Sequence, residues 1–360
     1  QSSDTRIQAI PTTTIAQGIK YIEDFKLQNF EKNPVVICSL GDNSVTEGEV
    51  AEAFQFAALH QLPIIFLVQD NEWGISVTKE EARTSDAYDY AAGFVGLNRM
   101  RIDGTDFVES FIQMQKAVHF VREERKPLLV CAKTVLIGHH TSGVRREFYR
   151  DKADLAKHSA KDPGIILKKY LLEEGFSEET LSQIETEARK QIEEDFNKAI
   201  LAPDPKPETV KEHVYAPTLI TEEKGNRIPE NGEKIPMVDA GIHAIQELMH
   251  KHPEALLYGQ DVGGRIGGVF REVVTLQQKF GNKRVFNTAI QEAYIIGSTV
   301  GMSAAGLKPI VEVQFADYIY PGINQLVTEV SKSCYLSNGK YPVSSIIRVP
   351  IGAYGGGGPY

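Results

Sequence analysis

The chain has 360 residues, more than one compact core usually organises, so two domains of ordinary size are expected. With 42% hydrophobic and 24% charged residues it has the material for real cores and lies far from disordered or collagen-like composition. Its 39 basic against 48 acidic side chains give a net charge of −9, which argues against a general nucleic-acid binder. Three cysteines (Cys38, Cys131, Cys334) cannot build a disulfide framework or a cysteine-rich metal site, so a reducing, cytoplasmic setting is expected. No stretch approaches the roughly 20 apolar residues of a membrane span, and the N-terminus lacks the layout of a secretory signal.

In chain order, the short apolar runs at 35–38, 64–68 and 128–131 alternate with helix-like segments around 47–60 and 105–125. This rhythm predicts buried parallel strands joined by crossover helices. Residues 165–200 read as a charged, amphipathic helical pair, with the run Glu185–Asp195 as a solvated face. The prolines at 203, 205 and 207 then end any helix, and the polar stretch to about Lys234 reads as a linker. The rhythm resumes with runs at 256–258, 310–313 and 345–349, separated by helical patterns near 237–250, 291–306 and 317–336. The expected fold class is therefore α/β: two mainly parallel sheets, each flanked by helices.

Two loops stand out. Gly41-Asp42-Asn43 and Asp70-Asn71-Glu72-Trp73 each follow a predicted strand directly, and ligands bind at strand ends along one edge of a parallel sheet. Asp42 and Asn71 offer the hard oxygens that suit Mg²⁺, although either loop alone is also the composition of an ordinary strand-to-helix turn. Glu292 heads the apolar helical segment 293–307, with Ile290 just before it, surroundings expected to raise a carboxyl pKa by desolvation. The residues alone read equally as a helix-start acid favoured by the dipole. Gly297, Gly301 and Ala305 form a stripe of small residues at i, i+4 and i+8, which calls for a close neighbour: a helix of another subunit or a tight contact within one domain. The segment 138–150 carries His139 and His140 with Arg145 and Arg146, a cluster suited to an anion, where solvent-exposed loop histidines are the ordinary reading.

Taken together these residues resemble a known family. The segment Gly41–Ser76, with Asp103-Gly104-Thr105-Asp106, Ile137–Ser142 and Asp162-Pro163, resembles the alpha part of the thiamine-diphosphate-dependent 2-oxo acid dehydrogenases. Residues 237–360 resemble the start of the beta part, through GQDVGGRIGGVF, AIQEAYIIGSTVGMSAAGLKPIVEVQFADYIYP and IRVPIGAYGGGG. The resemblance implies two thiamine-diphosphate-binding-type domains: residues 1–201 for the diphosphate and Mg²⁺, 202–236 as linker, and 237–360 for the aminopyrimidine ring. It implies that Asp42, Asn71 and the Trp73 carbonyl hold Mg²⁺, and that Glu292 hydrogen-bonds the aminopyrimidine. It places Gln314, Tyr318 and Ile290 beside that ring, His139 near the cofactor, and His140 near the diphosphate in acyl transfer. Phe315 reads as core. Asn43 stands where the family usually has glycine and Asp70 where it usually has asparagine, departures that bear on cofactor affinity. Thr141 falls at a position phosphorylated in some mitochondrial relatives.

The activity implied is oxidative decarboxylation of a 2-oxo acid with acyl transfer to a lipoyl group of a partner acyltransferase. The run Gln314–Ile319 is closer to the branched-chain type than to the pyruvate type. Alternatives are a pyruvate or acetoin dehydrogenase component, a transketolase-like carboligase, and a non-catalytic subunit of the same fold. A homo-oligomer with its site between alpha-type and beta-type domains is expected. Because family members continue upstream and downstream of the matching segments, these residues are expected to be a portion of a longer polypeptide. Neither a Gly-x-Gly-x-x-Gly dinucleotide loop beside the strands nor a phosphate-binding Gly-x-x-x-x-Gly-Lys-Ser/Thr motif occurs.

Overall fold

Each apolar run anticipated as a buried strand pairs in parallel with its neighbours, and the strands gather into two four-stranded sheets, one in each half of the chain. The structure, a computed structural model, describes residues 5–217, 222, 224–228 and 230–351. The glycine run Gly355–Gly358 and the rest of the segment 352–360 lie outside the described residues.

In the first half, α1 (Ala9–Phe25) precedes β1 (Val36–Gly41), α2 (Gly48–His60) and β2 (Ile64–Asp70). Next come β3 (Asn98–Asp103), α3 (Phe107–Glu124) and β4 (Leu128–Lys133), and the sheet order is β1-β2-β4-β3. The apolar runs occupy the centre because side chains there are covered on both faces: Ile64, Ile65, Phe66, Leu129 and Val130 are all inaccessible to solvent. Helix α1 has no clear sequence signature, since Pro11 and three threonines interrupt its pattern. Pro11 sits in the first turn, where helical N–H groups lack intrahelical acceptors and a missing donor costs nothing. Strand β3 was also missed: it is an edge strand, and its sequence NRMRID buries only Ile102.

After α4 (Lys152–Ser159), the charged pair appears as α5 (Pro163–Glu173) and α6 (Glu178–Leu201). Asp162 and Ser177 cap the last two with side-chain oxygens, and α6 buries only Leu181, which makes Glu185–Asp195 the solvated face expected. Between 202 and 236 the described residues hold no strand and one 3₁₀ turn, Pro207–Lys211.

The second half runs α7 (Met237–Lys251), β5 (Ala255–Gly259), β6 (Val285–Asn287), α8 (Glu292–Ala304), β7 (Lys308–Glu312) and β8 (Ile346–Arg348), with sheet order β8-β7-β5-β6. The helix expected over 317–336 is instead broken into a 3₁₀ stretch Ala316–Gly322, short helical turns and a π-turn Leu326–Val330. Pro321 lacks the amide donor, and Gly322 packs so close to α8 that an added Cβ would lie 2.7 Å from the Glu292 carbonyl oxygen.

Two of the apolar clusters draw on both halves. Ala293 and Tyr294 of α8 join the cluster of α1, α2 and β2 residues, and the Tyr294 ring stacks on Phe56 at 3.7 Å. The small-residue stripe explains how: a Cβ on Gly301 would overlap the Pro11 carbonyl oxygen and the Thr14 hydroxyl, while Ala305 fits against Gly18. For Gly301 and Ala305 the close neighbour is thus α1 of the same chain, whereas Gly297 meets the Gln325 side chain inside the second half. Among the described residues no helix is long and apolar enough to cross a membrane, and all three cysteines are free and buried.

Candidate functional site

The register of β1 on β2 pairs Gly41 with Gln69, so the loops that leave these strands emerge side by side. Asp42 follows β1 immediately and is 2% exposed; Asp70 ends β2 and is 1% exposed. Arg83 lies between them, its Nη2 2.8 Å from Asp42 Oδ2 and 2.6 Å from Asp70 Oδ1. Lys133, at the end of β4 and paired with Asp70 in register, also donates to the Asp70 carboxylate. Burial works against both carboxylates. It prevails at Asp42, pushed up to about 6 despite Arg83, whereas Lys133 and Arg83 overcome it and hold Asp70 below the usual carboxylate range.

Asn71 follows β2 and its Oδ1 accepts the Trp73 N–H at 2.9 Å, an Asx turn that aims the loop back. Trp73 begins a short hairpin with Val77–Thr78, and its ring faces Tyr149 and Arg150. The ends of β2, β3 and β4 open on a cavity of about 360 Å³ lined by Asp70, Glu72, Asp103, Thr105, Lys133 and His158. Asp103 and Asp106 have local structural duties there: Asp103 accepts from the Thr105 N–H and hydroxyl, and Asp106 caps α3.

On the second sheet Gly259 and Glu312 end β5 and β7 in register, so Gln260-Asp261 and Gln314 leave adjacent strands together. Gln260 Nε2 donates to Glu292 Oε1 at 2.9 Å, and Gln314 donates to the Asp261 carboxylate. Glu292 is half-buried at the first position of α8, less enclosed than its apolar sequence neighbours suggest, and Ile290 is 82% exposed. Tyr318 lies edge-on to Phe315 at 5.1 Å, and Phe315, half-buried between Phe270 and Tyr318, is not the core residue anticipated.

Helix α2, which follows the Asp42 loop, abuts the start of α8. Glu52 accepts the Tyr294 N–H at 2.8 Å, and Glu49 accepts from Asn324 and Gln325 at 3.0 and 2.7 Å. Burial pushes the Glu52 carboxyl up to about 7, the Tyr294 N–H opposing it and the charges of Glu49 and Glu292 adding to it. His139 and His140 are exposed on their loop, and His139 Nδ1 accepts the Arg146 N–H at 3.3 Å. Arg145 and Arg146 both pair with Glu147, so the basic pair expected to meet an anion has an internal partner.

Asp42 and Asn71 are therefore neighbours, and so are Glu292 and Gln314, while the histidines sit on a separate exposed loop. Arg83, Lys133, Gln260 and Glu52 were not anticipated. Gln260 carried a signal, since it follows a strand run as Gln314 does; Arg83, 13 residues beyond Asp70 in sequence, carried none. The donor chemistry at Asp42, Asn71 and the Trp73 carbonyl is oxygen only; among the described residues Asn43 Oδ1 is buried without a hydrogen bond, and Asp42 Oδ2 has none beyond its ion pair with Arg83. Unsatisfied oxygens of this kind fit a hard divalent cation such as Mg²⁺.

The pair of parallel α/β sheets agrees with two family matches. Residues 6–208 match the family described as "Dehydrogenase E1 component", and residues 233–359 match "Transketolase, pyrimidine binding domain". The chain belongs to the dehydrogenase E1 component family. Among its relatives, 2-oxoisovalerate dehydrogenase subunit beta of Pseudomonas aeruginosa is 44% identical over 122 residues, 33% of this chain and 35% of that protein. The mitochondrial 2-oxoisovalerate dehydrogenase subunit beta of Dictyostelium discoideum is 41% identical over 145 residues, 40% of this chain and 37% of that protein. Pyruvate dehydrogenase E1 component subunit beta of Acholeplasma laidlawii is 42% identical over 118 residues, 33% of this chain and 36% of that protein. The chain thus spans little more than a third of the length of these curated relatives.

Proposed function

We propose that this chain carries both halves of a thiamine-diphosphate and Mg²⁺ site for oxidative decarboxylation of a 2-oxo acid, with acyl transfer to a lipoyl group of a partner acyltransferase. The observation that carries the reading is the paired strand-end chemistry: Asp42 beside Asn71 on the first sheet, and Glu292 and Gln314 held by the consecutive residues Gln260 and Asp261 on the second. The domain division at 1–201, 202–236 and 237–360 belongs to the same proposal.

When bound, thiamine diphosphate supplies the nucleophilic carbon and the electron sink that decarboxylation needs. The chain's contribution is position and electrostatics. Asp42, Asn71 and the Trp73 carbonyl would hold Mg²⁺ for the diphosphate. Glu292, oriented by Gln260, would hold a proton toward the aminopyrimidine ring, while Gln314 and Tyr318 would line that ring and exposed Ile290 would offer an apolar contact. His139 and His140 serve the diphosphate side and acyl transfer from their exposed loop. Three buried free thiols suit a reducing, cytoplasmic setting. A homo-oligomer completes the assembly in this reading.

The branched-chain preference rests on the run Gln314–Ile319. Relatives named for 2-oxoisovalerate and for pyruvate match at similar identity, so a substrate panel is the test. With an artificial electron acceptor, kcat/KM is expected to be higher for 3-methyl-2-oxobutanoate than for pyruvate. The reverse ratio overturns the preference, and turnover of neither overturns the decarboxylase reading.

A further inference from the structure

The carboxylates of Asp42 and Asp70 face one guanidinium, but the two contacts are unequal. Arg83 Nη2 makes a 2.6 Å hydrogen bond to Asp70 Oδ1. Nη2 also forms a 2.8 Å ion pair with Asp42 Oδ2, an oxygen that is buried and, among the described residues, has no well-aligned hydrogen bond. Asp70 has Lys133 as a second cation, whereas among the described residues Asp42 pairs with Arg83 alone. The Arg83 side chain is itself 6% exposed, and among the described residues its Nη1 is buried without a hydrogen bond. It ends the short helix Lys79–Ala82, which is fixed by a Thr78–Glu81 capping box directly after the Trp73 hairpin, so the guanidinium returns to the loop that precedes it.

We propose that Arg83 is the resident counter-ion of the Asp42 site: it stands where a divalent cation acts on Asp42, and Asp70 is the carboxylate onto which it retreats when that cation arrives. The proposal rests on the reading of Asp42 and Asn71 as metal ligands. Its logic is competition between positive charges. A guanidinium left beside the cation repels it, and a buried carboxylate that draws the guanidinium away lessens that repulsion. Asp70, a departure from the family's usual asparagine, and Arg83 thus act as one pair that sets divalent affinity. Neither is a cation ligand; both are positioning residues.

The sign of the effect separates this role from a structural one. Mn²⁺ binding to the whole chain, followed by electron paramagnetic resonance and by calorimetry, is expected to tighten about tenfold in Arg83→Gln, the scale of one neighbouring charge at a partly buried site. It is expected to weaken about tenfold in Asp70→Asn, where Arg83 has only Asp42 to hold. Arg83→Lys, which keeps the charge on a shorter reach, should fall between the wild type and Arg83→Gln. Should Arg83→Gln not fold, the weakening in Asp70→Asn decides alone. Arg83→Gln and Asp70→Asn moving in the same direction, or neither moving while the wild type binds Mn²⁺, overturns the counter-ion role. Wild-type binding unchanged in Asp42→Ala overturns the metal-site reading itself, and the inference with it.

Discussion

The backbone N–H of Tyr294 donates a 2.8 Å hydrogen bond to the carboxylate of Glu52, joining residues 242 positions apart. The contact ties the helix that follows the Asp42 loop to the helix that Glu292 begins. The Tyr294 ring stacks on Phe56, and its hydroxyl donates to Gln17. A fully buried aromatic of this kind anchors the junction between the halves. Tyr294→Ala is expected to cost about 3–5 kcal/mol of stability, measured by denaturant unfolding, and to loosen both halves together. An unchanged midpoint would show that the halves do not depend on this contact.

Gly301 tests the same junction by the opposite change. A side chain there meets the Pro11 carbonyl and the Thr14 hydroxyl, so Gly301→Val should destabilise by about 1–3 kcal/mol or more through overpacking. Gly241 has open space around its Cβ position, and Gly241→Ala on the surface of α7 is the control, expected to leave stability the same or slightly raised.

Buried carboxyls, Asp42 and more strongly Glu52 and Glu312, give stability a defined pH dependence. Burial pushes Glu52 up to about 7 and Glu312 up to about 8; Arg348 opposes the rise at Glu312 and Glu272 adds to it. A carboxyl with a raised folded-state pKa binds more protons folded than unfolded, so its contribution is complete below about 4.5 and is lost as pH rises through the folded value. Thermal unfolding is therefore expected at lower temperature at pH 8.5 than at pH 5.5. Glu312→Gln should flatten that slope from about pH 5 to about pH 8, most clearly above about pH 7, where Glu52 no longer adds to it. A slope unchanged by the substitution would remove Glu312 as its source.

Glu292→Gln is expected to keep cofactor affinity within a few-fold while slowing exchange of the cofactor's thiazolium proton by about a hundredfold or more, the usual scale of a positioned acid or base. Gln260→Ala leaves the Glu292 charge but releases Oε1 from its 2.9 Å donor, so it should slow exchange by a smaller factor. Exchange as fast as in the wild type would leave Glu292 a helix-start acid only.

What was legible in the sequence follows from what burial writes into it. Central strands such as Ile64–Asp70 and Leu128–Lys133 are apolar on both faces and so read as continuous runs. Edge strand Asn98–Asp103 faces water, keeps Arg99 and Arg101 for Tyr88 and the acids Asp86 and Asp89, and has no such run. Asp42 and Asn71 were legible because strand ends on one sheet edge are neighbours whatever the rest of the fold does. Arg83 and Lys133 were not, since pairing them with Asp70 depends on how a loop returns and on which strand lies beside β2, and neither leaves a local pattern. The break at Pro321 was visible in the sequence but lay inside a long helical periodicity, which the close packing of Gly322 on α8 overrides.

The central claim is that Asp42 and Asn71 anchor thiamine diphosphate through Mg²⁺. Calorimetric titration of the protein with thiamine diphosphate in the presence and absence of Mg²⁺, for wild type and Asp42→Ala, tests it most directly. The account predicts Mg²⁺-dependent binding in the wild type and at least a hundredfold loss of affinity in Asp42→Ala, because the site's neutral oxygens cannot replace a charged ligand. Binding of equal strength in the two proteins, or binding indifferent to Mg²⁺, would contradict it.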